Sequence, residues 1–442
     1  MVVVGRTGVA GLQWKARYSI LSILFATWII SFLDRMALSV AMPYIATDFS
    51  LTSIQTGFLL SAFFASYSLA HLPGGMLADR FGVRKVTTVA MLWWSVFTAA
   101  TGAATNLVQM VVARFIFGLG EGVFPPCAYK TVSTWFPKKE RTTANAIMLA
   151  SNPLGSALSP LLVVAIMAAF GWRAVFFILF IPGVVIAFLF WKMVPNDPTL
   201  STTITRGELA EIMEDSDAAG GAAPASGFLA CFRQPDIFRY FLTLFAFDIA
   251  LWGFSTWLPT YLVKVRGFSM MQMGVAASLP FFAGAIGSVL AGWISDRYFV
   301  TRRRVPIVFA QVATAIFLYL MMVVESTAAL IVVQTLTGFF LMAFISVFWA
   351  LPMNSIPKQL MGVSGGFINM AGQIAAFVAP ILIGYLVELG NGSFNYAFSL
   401  FIGAVFLSLV VILTMRTRPE IPVPAGDLPL PGAIAPTAAG RS

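Results

Sequence analysis

Charge is scarce in this chain. Asp, Glu, Lys and Arg make up 10% of the 442 residues and hydrophobic residues 59%, whereas a soluble domain carries about 25% charged and about 45–50% apolar residues. Nothing water-soluble is built from that mixture. The single histidine excludes the usual His-based zinc patterns, and no Gly-rich loop followed by Lys-Ser/Thr is present to cradle ATP phosphates. The two cysteines, Cys127 and Cys231, lie far apart, one in an apolar segment and one in a polar linker. They give neither a disulfide framework nor a metal-ligand spacing. No catalytic group, metal or cofactor is expected. The N-terminal seventeen residues, with Arg6, Lys15 and Arg17, show no cleavable signal pattern.

What the chain has instead is long apolar runs of membrane-spanning length. They fall near 18–46, 54–78, 86–104, 107–130, 143–169 and 172–194, and again near 237–264, 271–295, 304–325, 328–352, 361–388 and 395–415. The expectation is an all-α integral membrane protein with twelve transmembrane helices in two six-helix halves, residues 1–194 and 237–418. A cytoplasmic linker, 195–236, joins them, with a short surface helix around Arg206–Met213 and a flexible Ala/Gly/Pro-rich run to Ser226. Residues 419–442, Pro-rich, read as a disordered tail. With both termini placed in the cytoplasm, the inside segments hold 22 of the 27 Lys and Arg. Only Arg173, Lys264 and Arg266 fall outside, and Arg35 and Arg114 lie within spans. The positive-inside rule therefore sets both termini in the cytoplasm of a cell inner membrane. It also gives the +9 net charge a membrane reading, with no nucleic-acid partner.

Against this apolar background four charges stand out. Asp34 and Arg35 lie in the first span, Arg114 and Glu121 in the fourth. Seven residues apart, Arg114 and Glu121 share a helix face to within about 20° and lie roughly 10 Å apart along the axis. Gly118, Gly120 and Gly122 thin the helix there, so a neighbouring backbone or a ligand can come close. Four such charges facing lipid would cost roughly 10–14 kcal/mol, about the stability of a whole domain. They must face the bundle interior and form a buried polar site.

An internal repeat supports the six-plus-six organisation. Gly75-Met-Leu-Ala-Asp79-Arg80-Phe-Gly82-Val-Arg84-Lys85 follows span 2. Gly292-Trp-Ile-Ser-Asp296-Arg297, with Arg302, Arg303 and Arg304, follows span 8 at an offset of 217 residues. An acid at a helix C-terminus beside basic residues suits a breakable cytoplasmic latch, with Gly75, Asp79, Arg80, Arg84, Asp296 and Arg297 as its parts; a plain positive-inside loop is the alternative.

The chain resembles the major facilitator superfamily over essentially all twelve spans, and within it the anion:cation symporter branch, which includes bacterial sugar-acid and aromatic-acid permeases. The likeness is carried by Leu33-Asp34-Arg35, Tyr67 with Leu72-Pro73-Gly74-Gly75, Arg114 and Glu121, Trp135-Phe136-Pro137, Gly171-Trp172-Arg173, Trp257-Leu-Pro-Thr-Tyr261 and Asn369-Met-Ala-Gly372. There are departures. Ser31 and Phe32 stand where the branch commonly has Asn-Tyr, His71 replaces a Gln, Gln373 replaces a frequent Asn, and Asp248 in span 7 is an extra acid.

The resemblance implies proton-coupled uptake of an organic anion by alternating access between the two halves. The substrate would be a sugar acid such as an aldonate, hexuronate or aldarate; an aromatic or other small carboxylic acid is the alternative, and beyond it a passive channel or a transporter-like sensor. The protein would work as a monomer. Arg35, always charged and planar, suits a carboxylate as the substrate clamp; a structural ion pair with Glu121 or Asp34 is the other reading. Asp34 and Glu121 are the proton-coupling acids implied by the family, with Arg114 acting on Glu121. Tyr67, Trp257, Tyr261, Asn369 and Gln373 are candidate substrate contacts, each with ordinary packing as its alternative; Trp252, Trp349 and Asn354 belong to the same pool of rings and amides. His71 reads as a packing residue rather than a proton relay. In the second half the positions equivalent to Asp34, Arg35, Arg114 and Glu121 are Leu251, Trp252, Ile331 and Gly338, which places the coupling chemistry in the first half.

Overall fold

A computed structural model describes residues 14–213, 235–356 and 358–415. The expected flexible run up to Ser226 and the expected tail at 419–442 lie outside these residues, as do Arg6 and Cys231. Among the described residues the chain is helical, without strands. The first half comprises α1 (Ala16–Asp48), α2 (Ser53–Phe81), α3 (Val83–Ala103), α4 (Leu107–Glu121), α5 (Phe124–Trp135), α6 (Lys138–Phe170) and α7 (Trp172–Met193). After α8 (Arg206–Met213) come α9 (Pro235–Lys264), α10 (Met270–Tyr298), α11 (Arg304–Val323), α12 (Thr327–Phe348), α13 (Ala350–Ser355), α14 (Lys358–Leu389) and α15 (Asn395–Thr414). Eleven spans are long and apolar enough to cross a membrane, with α4–α5 and α12–α13 each counted as one; α2, 29 residues long, makes the twelfth. The protein is a multi-pass membrane protein of two six-helix halves.

The fourth span, expected as one helix, breaks in two. Gly122 ends α4, and Pro125 and Pro126 open α5, because proline lacks the N–H that an interior turn needs but is tolerated in a first turn. Gly82, with φ +83°, turns α2 into α3 and rests against the Asn196 side chain, where a Cβ would collide. Such a positive φ is open to glycine without strain.

The repeat is visible in the packing. α1 packs on α6, α2 on α4 and α3 on α7; in the second half α9 packs on α14, α10 on α12 and α11 on α15. Thr52 and Gln55 form a capping box at the start of α2, and Ser269 and Gln272 form the same box at the start of α10, which is the same offset of 217. Lys264 Nζ donates to Thr47 Oγ1 at 2.8 Å, and these two residues are themselves 217 apart. Equivalent residues that touch each other lie at a pseudo-two-fold axis, so the axis runs between the ends of α1 and α9.

The halves meet chiefly through α2 on α14, α6 on α10 and α1 on α9. The tightest of these contacts lie on the side away from the start of α1. There Gly57 abuts the Pro380 carbonyl, Gly384 abuts Ser53, and Gly274 abuts Val164. Ile54 N donates to Glu388 Oε2 at 3.1 Å. One buried apolar cluster runs through this region, joining Ala41, Ile45 and Val164 of the first half to Phe254, Leu258 and Ile383 of the second.

The linker helix is more than a surface element. Glu208 of α8 accepts from the backbone N–H groups of Ala16 and Arg17 at 3.1 and 3.0 Å, satisfying donors that the start of α1 leaves open. Glu211 accepts from Lys15 and Arg17 at 3.0 and 2.9 Å, and Arg17, fully buried, also reaches Glu140 at the start of α6 at 3.0 Å. α8 is thereby pinned to the first half.

Candidate functional site

The four intramembrane charges converge because α4 comes very close to its neighbours. A Cβ on Gly118 would strike Ser66 and the Phe63 carbonyl, one on Gly122 the Tyr67 carbonyl, and one on Gly120 the Trp93 ring. The three glycines therefore admit the α2 backbone and an α3 ring, a packing device of helices in lipid, and set Arg114 and Glu121 against α1.

All four charged residues are sealed: Asp34 is 0% exposed, Arg35 7%, Arg114 1% and Glu121 1%. Arg35 Nη2 donates to Glu121 Oε1 at 2.6 Å, and Ser31 Oγ donates to the same oxygen at 2.5 Å. Three rings surround the Arg35 guanidinium, Phe32 at 4.6 Å, Phe63 at 4.8 Å and Tyr67 at 4.6 Å. Each such cation–π contact is worth about 0.5–2 kcal/mol when desolvated. Arg114, read from the sequence as acting on Glu121, instead donates to the Asp34 carbonyl at 3.3 Å and lies 4.5 Å from the Phe117 ring. Arg35 already holds Glu121, which leaves Arg114 to bind the backbone of α1. The Asp34 carboxylate does not pair with Arg35; its Oδ2 lies 3.4 Å from Thr98 Oγ1. Adjacent side chains on a helix point about 100° apart, which accounts for this.

The network is incompletely satisfied. Asp34 Oδ1, Glu121 Oε2, Arg35 Nε, and Arg114 Nε and Nη1 have no hydrogen-bond partner. A buried polar atom left unpaired costs about 1–3 kcal/mol, more when charged. Such groups are available for a ligand, a water or a proton. Between the halves lies a cavity of about 10 Å³ lined by Arg35, Met36, Leu38, Ser39, Leu60, Phe63, Phe64, Arg114 and Thr256. That is room for about one water. Ser39 and Thr256 are equivalent positions of the repeat, so the cavity sits on the pseudo-two-fold axis, and Arg35 and Arg114 both line it.

The second half contributes unequally. Trp257 Nε1 donates to the Pro380 carbonyl at 3.3 Å, and Tyr261 Oη donates to the Met321 carbonyl at 3.1 Å. Both rings pack on Phe394. Their polar atoms are engaged in holding α9 to α14 and α11, away from the charged cluster. Asn369 is exposed and Gln373 half-buried, one turn apart on α14, and neither makes a hydrogen bond among the described residues. Trp252 crosses to the first half, 4.9 Å from the Phe64 ring. His71 points back to its own helix, its Nδ1 2.9 Å from the Tyr67 carbonyl and its ring edge-on to Tyr67 at 4.5 Å.

The latch residues do not bridge the halves in this conformation. Asp79 pairs with Lys130 of α5 at 2.6 Å, and Asp296 pairs with Arg303 at 2.9 Å. Both carboxylates are largely exposed. Arg84 donates to the Trp191 carbonyl and stacks 4.6 Å from the Trp191 ring, so it ties α3 to α7 rather than serving Asp79. Arg80 lies over Phe81 at 5.2 Å, and Gly75 makes ordinary contact with Pro126.

Sequence reasoning did not single out Thr98, Phe63 or Phe64 as parts of the site, and it met Ser31 and Phe32 only as departures from a pattern. The structure gives both departures work, Ser31 on Glu121 and Phe32 on Arg35. A hydroxyl or phenyl inside an apolar run carries little signal, whereas the spacing 31–35–39 on one face of α1 is a usable one.

The comparisons with known proteins agree with this architecture. Residues 24–380 match the sequence profile described as Major Facilitator Superfamily. The hexuronate transporter of Bacillus subtilis is 32% identical over 421 residues, covering 93% of this chain and 97% of that protein. The probable sulfoacetate transporter SauU of Cupriavidus necator is 32% identical over 420 residues, covering 93% and 96%. Among solved structures, a bacterial homologue of the human lysosomal transporter Spinster, inward-facing and unoccupied, matches with a TM-score of 0.73, covering 90% of this chain and 95% of that one at 17% identity.

Proposed function

Because the chain belongs to the Major Facilitator Superfamily, we propose that it is a secondary active transporter that takes up an organic carboxylate together with protons. Arg35 is the anion clamp, Glu121 the principal proton carrier, Asp34 the second acid, and Arg114 the residue that fixes Asp34 and the backbone of α1. The observation that carries this reading is the buried Arg35–Glu121 pair, 2.6 Å long, beside a cavity on the axis between the halves. With Glu121 ionised, the clamp is occupied by an internal carboxylate and the cavity admits no substrate. A proton on Glu121 cancels that attraction and leaves Arg35 a buried, uncompensated cation, a state that an incoming carboxylate relieves. The formal charge of Asp34, Arg35, Arg114 and Glu121 is zero when all are ionised. One proton then balances one monoanionic substrate.

Alternation follows from the contacts between the halves. The tight contacts and the apolar cluster lie on the side away from the start of α1, while Asp79 and Asp296 pair within their own halves. With both termini in the cytoplasm of the inner membrane, this is the inward-facing state of a monomer. In the outward-facing state Asp79 and Asp296 would bind the opposite half and close the cytoplasmic side. Asn369 and Gln373, free on α14, are the substrate amides of the second half.

The substrate class follows the relatives and the chemistry together: a sugar acid such as a hexuronate, aldonate or aldarate. The three rings of Phe32, Phe63 and Tyr67 around Arg35, with Phe64 lining the adjoining cavity, favour a second reading, a small aromatic acid. A thermal-shift screen of purified protein against both classes separates them, since a ligand that binds only the native state raises its apparent stability, by about 2.7 kcal/mol at a hundred times Kd. Stabilisation by hexuronates, aldonates or aldarates supports the first reading and stabilisation by benzoates the second. Stabilisation by neither sinks the organic-acid assignment.

A further inference from the structure

Asp248 of α9 belongs to neither the Arg35–Glu121 pair nor the Arg114–Asp34 contact. It is 5% exposed, and its Oδ1 has no hydrogen-bond partner. The carboxylate rests on bare backbone: a Cβ on Gly372 of α14 would lie 2.5 Å from Asp248 Oδ2. The repeat offset of 217 places Asp248 on Ser31, the hydroxyl that contacts Glu121. It also places Gly372 on Gly155, which packs against Ile29 and Phe32 of α1 in the same way. Asp248, Trp252 and Thr256 then form one stripe of α9, four residues apart, matching Ser31, Arg35 and Ser39 on α1. Trp252 touches Phe64 across the interface and Thr256 lines the axial cavity. Asp248 lies two turns, roughly 12 Å, from Thr256 towards the side of the termini.

Beside the cavity the first half balances two buried acids, Asp34 and Glu121, with two buried arginines, Arg35 and Arg114. The second half has no such balance, because Trp252, Ile331 and Gly338 replace Arg35, Arg114 and Glu121. The charged and titratable groups on the helices around α9 are few. α12 and α15 carry no Asp, Glu, Lys, Arg or His, and α14 has Lys358 and Glu388 near its two ends. α10 has Asp296 and Arg297 in its last turn, and α11 begins at Arg304. α1 brings Asp34 and Arg35, which hold Thr98 and Glu121, and, near its ends, Arg17, paired with Glu140 and Glu211, and Asp48, paired with Arg173. α2 brings Tyr67 and His71, with Asp79 and Arg80 in its last turn. α9 itself has Asp236 and Arg239, paired together, and Lys264 at its far end. Lys358 precedes Gly372 by fourteen residues, roughly 21 Å of helix. An acid buried without a cation is costly to ionise. When the path on its side hydrates, that cost falls and the proton can leave.

We propose that Asp248 is a second, independent proton-carrying site, placed in the C-terminal half on the substrate path. The inference rests on the proton-coupled reading above. Its place outside the Arg35–Glu121 network lets it load and unload without competing for the clamp. The protein thus moves one proton more per substrate than the first-half acids alone would carry.

The test is the accumulation of a monoanionic substrate in proteoliposomes, with the membrane potential clamped to zero and the pH gradient varied. At equilibrium each coupled proton contributes a tenfold concentration ratio per pH unit. Asp248→Asn, which mimics the protonated acid, should lower the limiting ratio by about tenfold per pH unit relative to wild type, while counterflow of labelled substrate continues. A wild-type ratio of one at every gradient would overturn the proton-coupled function itself. A coupled wild type with an unchanged ratio in Asp248→Asn would overturn only the Asp248 site. Should Asp248→Asn lose counterflow, Asp248→Ser, which is smaller and fits the same space, carries the comparison. Loss of counterflow in both also overturns the inference, since the side chain then serves binding or packing rather than a proton.

Discussion

Replacing Glu121 by Gln probes the clamp and its release in one step. Glutamine keeps the shape of the side chain and an oxygen for Ser31 and Arg35, which now reach Glu121 at 2.5 and 2.6 Å. What it removes is the negative charge. Breaking a buried ion pair by deleting one charge costs about 3–5 kcal/mol, and the retained hydrogen bond offsets about 1 kcal/mol of that. The empty protein should therefore lose roughly 2–4 kcal/mol of stability, and a bound carboxylate should restore much of it. If only about 1.4 kcal/mol of this reappears in binding, affinity rises about tenfold. Glu121→Gln should bind substrate about tenfold or more tighter than wild type, because the internal charge that occupies Arg35 is gone. It should retain counterflow and lose one coupled proton, lowering the limiting accumulation ratio by about tenfold per pH unit. Titration calorimetry and paired vesicle assays read these quantities. A variant that keeps the full wild-type accumulation ratio, or that binds no more tightly than wild type, refutes Glu121 as the principal proton carrier.

Other outcomes follow from the same geometry. Arg35→Lys should weaken binding by more than about tenfold, roughly 1.4 kcal/mol, since an ammonium cannot make two parallel hydrogen bonds to a carboxylate; equilibrium binding within a factor of about three of wild type argues against the clamp. Asp79→Asn and Asp296→Asn, both far from the cavity, should slow net transport and leave Kd unchanged; weakened binding with normal exchange rates would contradict the latch. Lys15 and then Arg17 hold the Glu211 carboxyl below its ordinary value. Its contribution to docking α8 is present above the ordinary carboxylate range and is lost as pH falls through the lowered folded value. Protection of the amides of residues 206–213, taken relative to the chemical exchange rate at each pH, should fall below about pH 4 compared with pH 7, and protection that stays constant speaks against that anchoring.

How much of this could be read in advance depended on how loudly each residue speaks. Asp34, Arg35, Arg114 and Glu121 were legible because a charge inside a long apolar run has few tolerable places, and the repeat at Asp79 and Asp296 was legible because its basic neighbours are dense. Which charge holds which was not: Arg114 goes to the Asp34 carbonyl because Arg35 reaches Glu121 first, a matter of tenths of an ångström between helices. Trp257 and Tyr261 look like ligand contacts in sequence, yet their polar atoms are taken by backbone carbonyls. Rings bury well in either role, and sequence does not separate the two. The capping boxes at Thr52 and Ser269 were present in the sequence as a second copy of the repeat. A Ser/Thr with Gln three residues on is a common helix start and marks a repeat only once the offset of 217 is known.

Accumulation of a sugar acid under an imposed pH gradient tests the central claim most directly. Proteoliposomes buffered inside at pH 8 are diluted into pH 6 with the labelled acid that stabilises the purified protein most. The account predicts internal substrate rising well above the external concentration, about a hundredfold at the limit for one proton at zero membrane potential, and collapsing when a protonophore is added. Equilibration to equal concentrations, unaffected by the gradient or the protonophore, would contradict it.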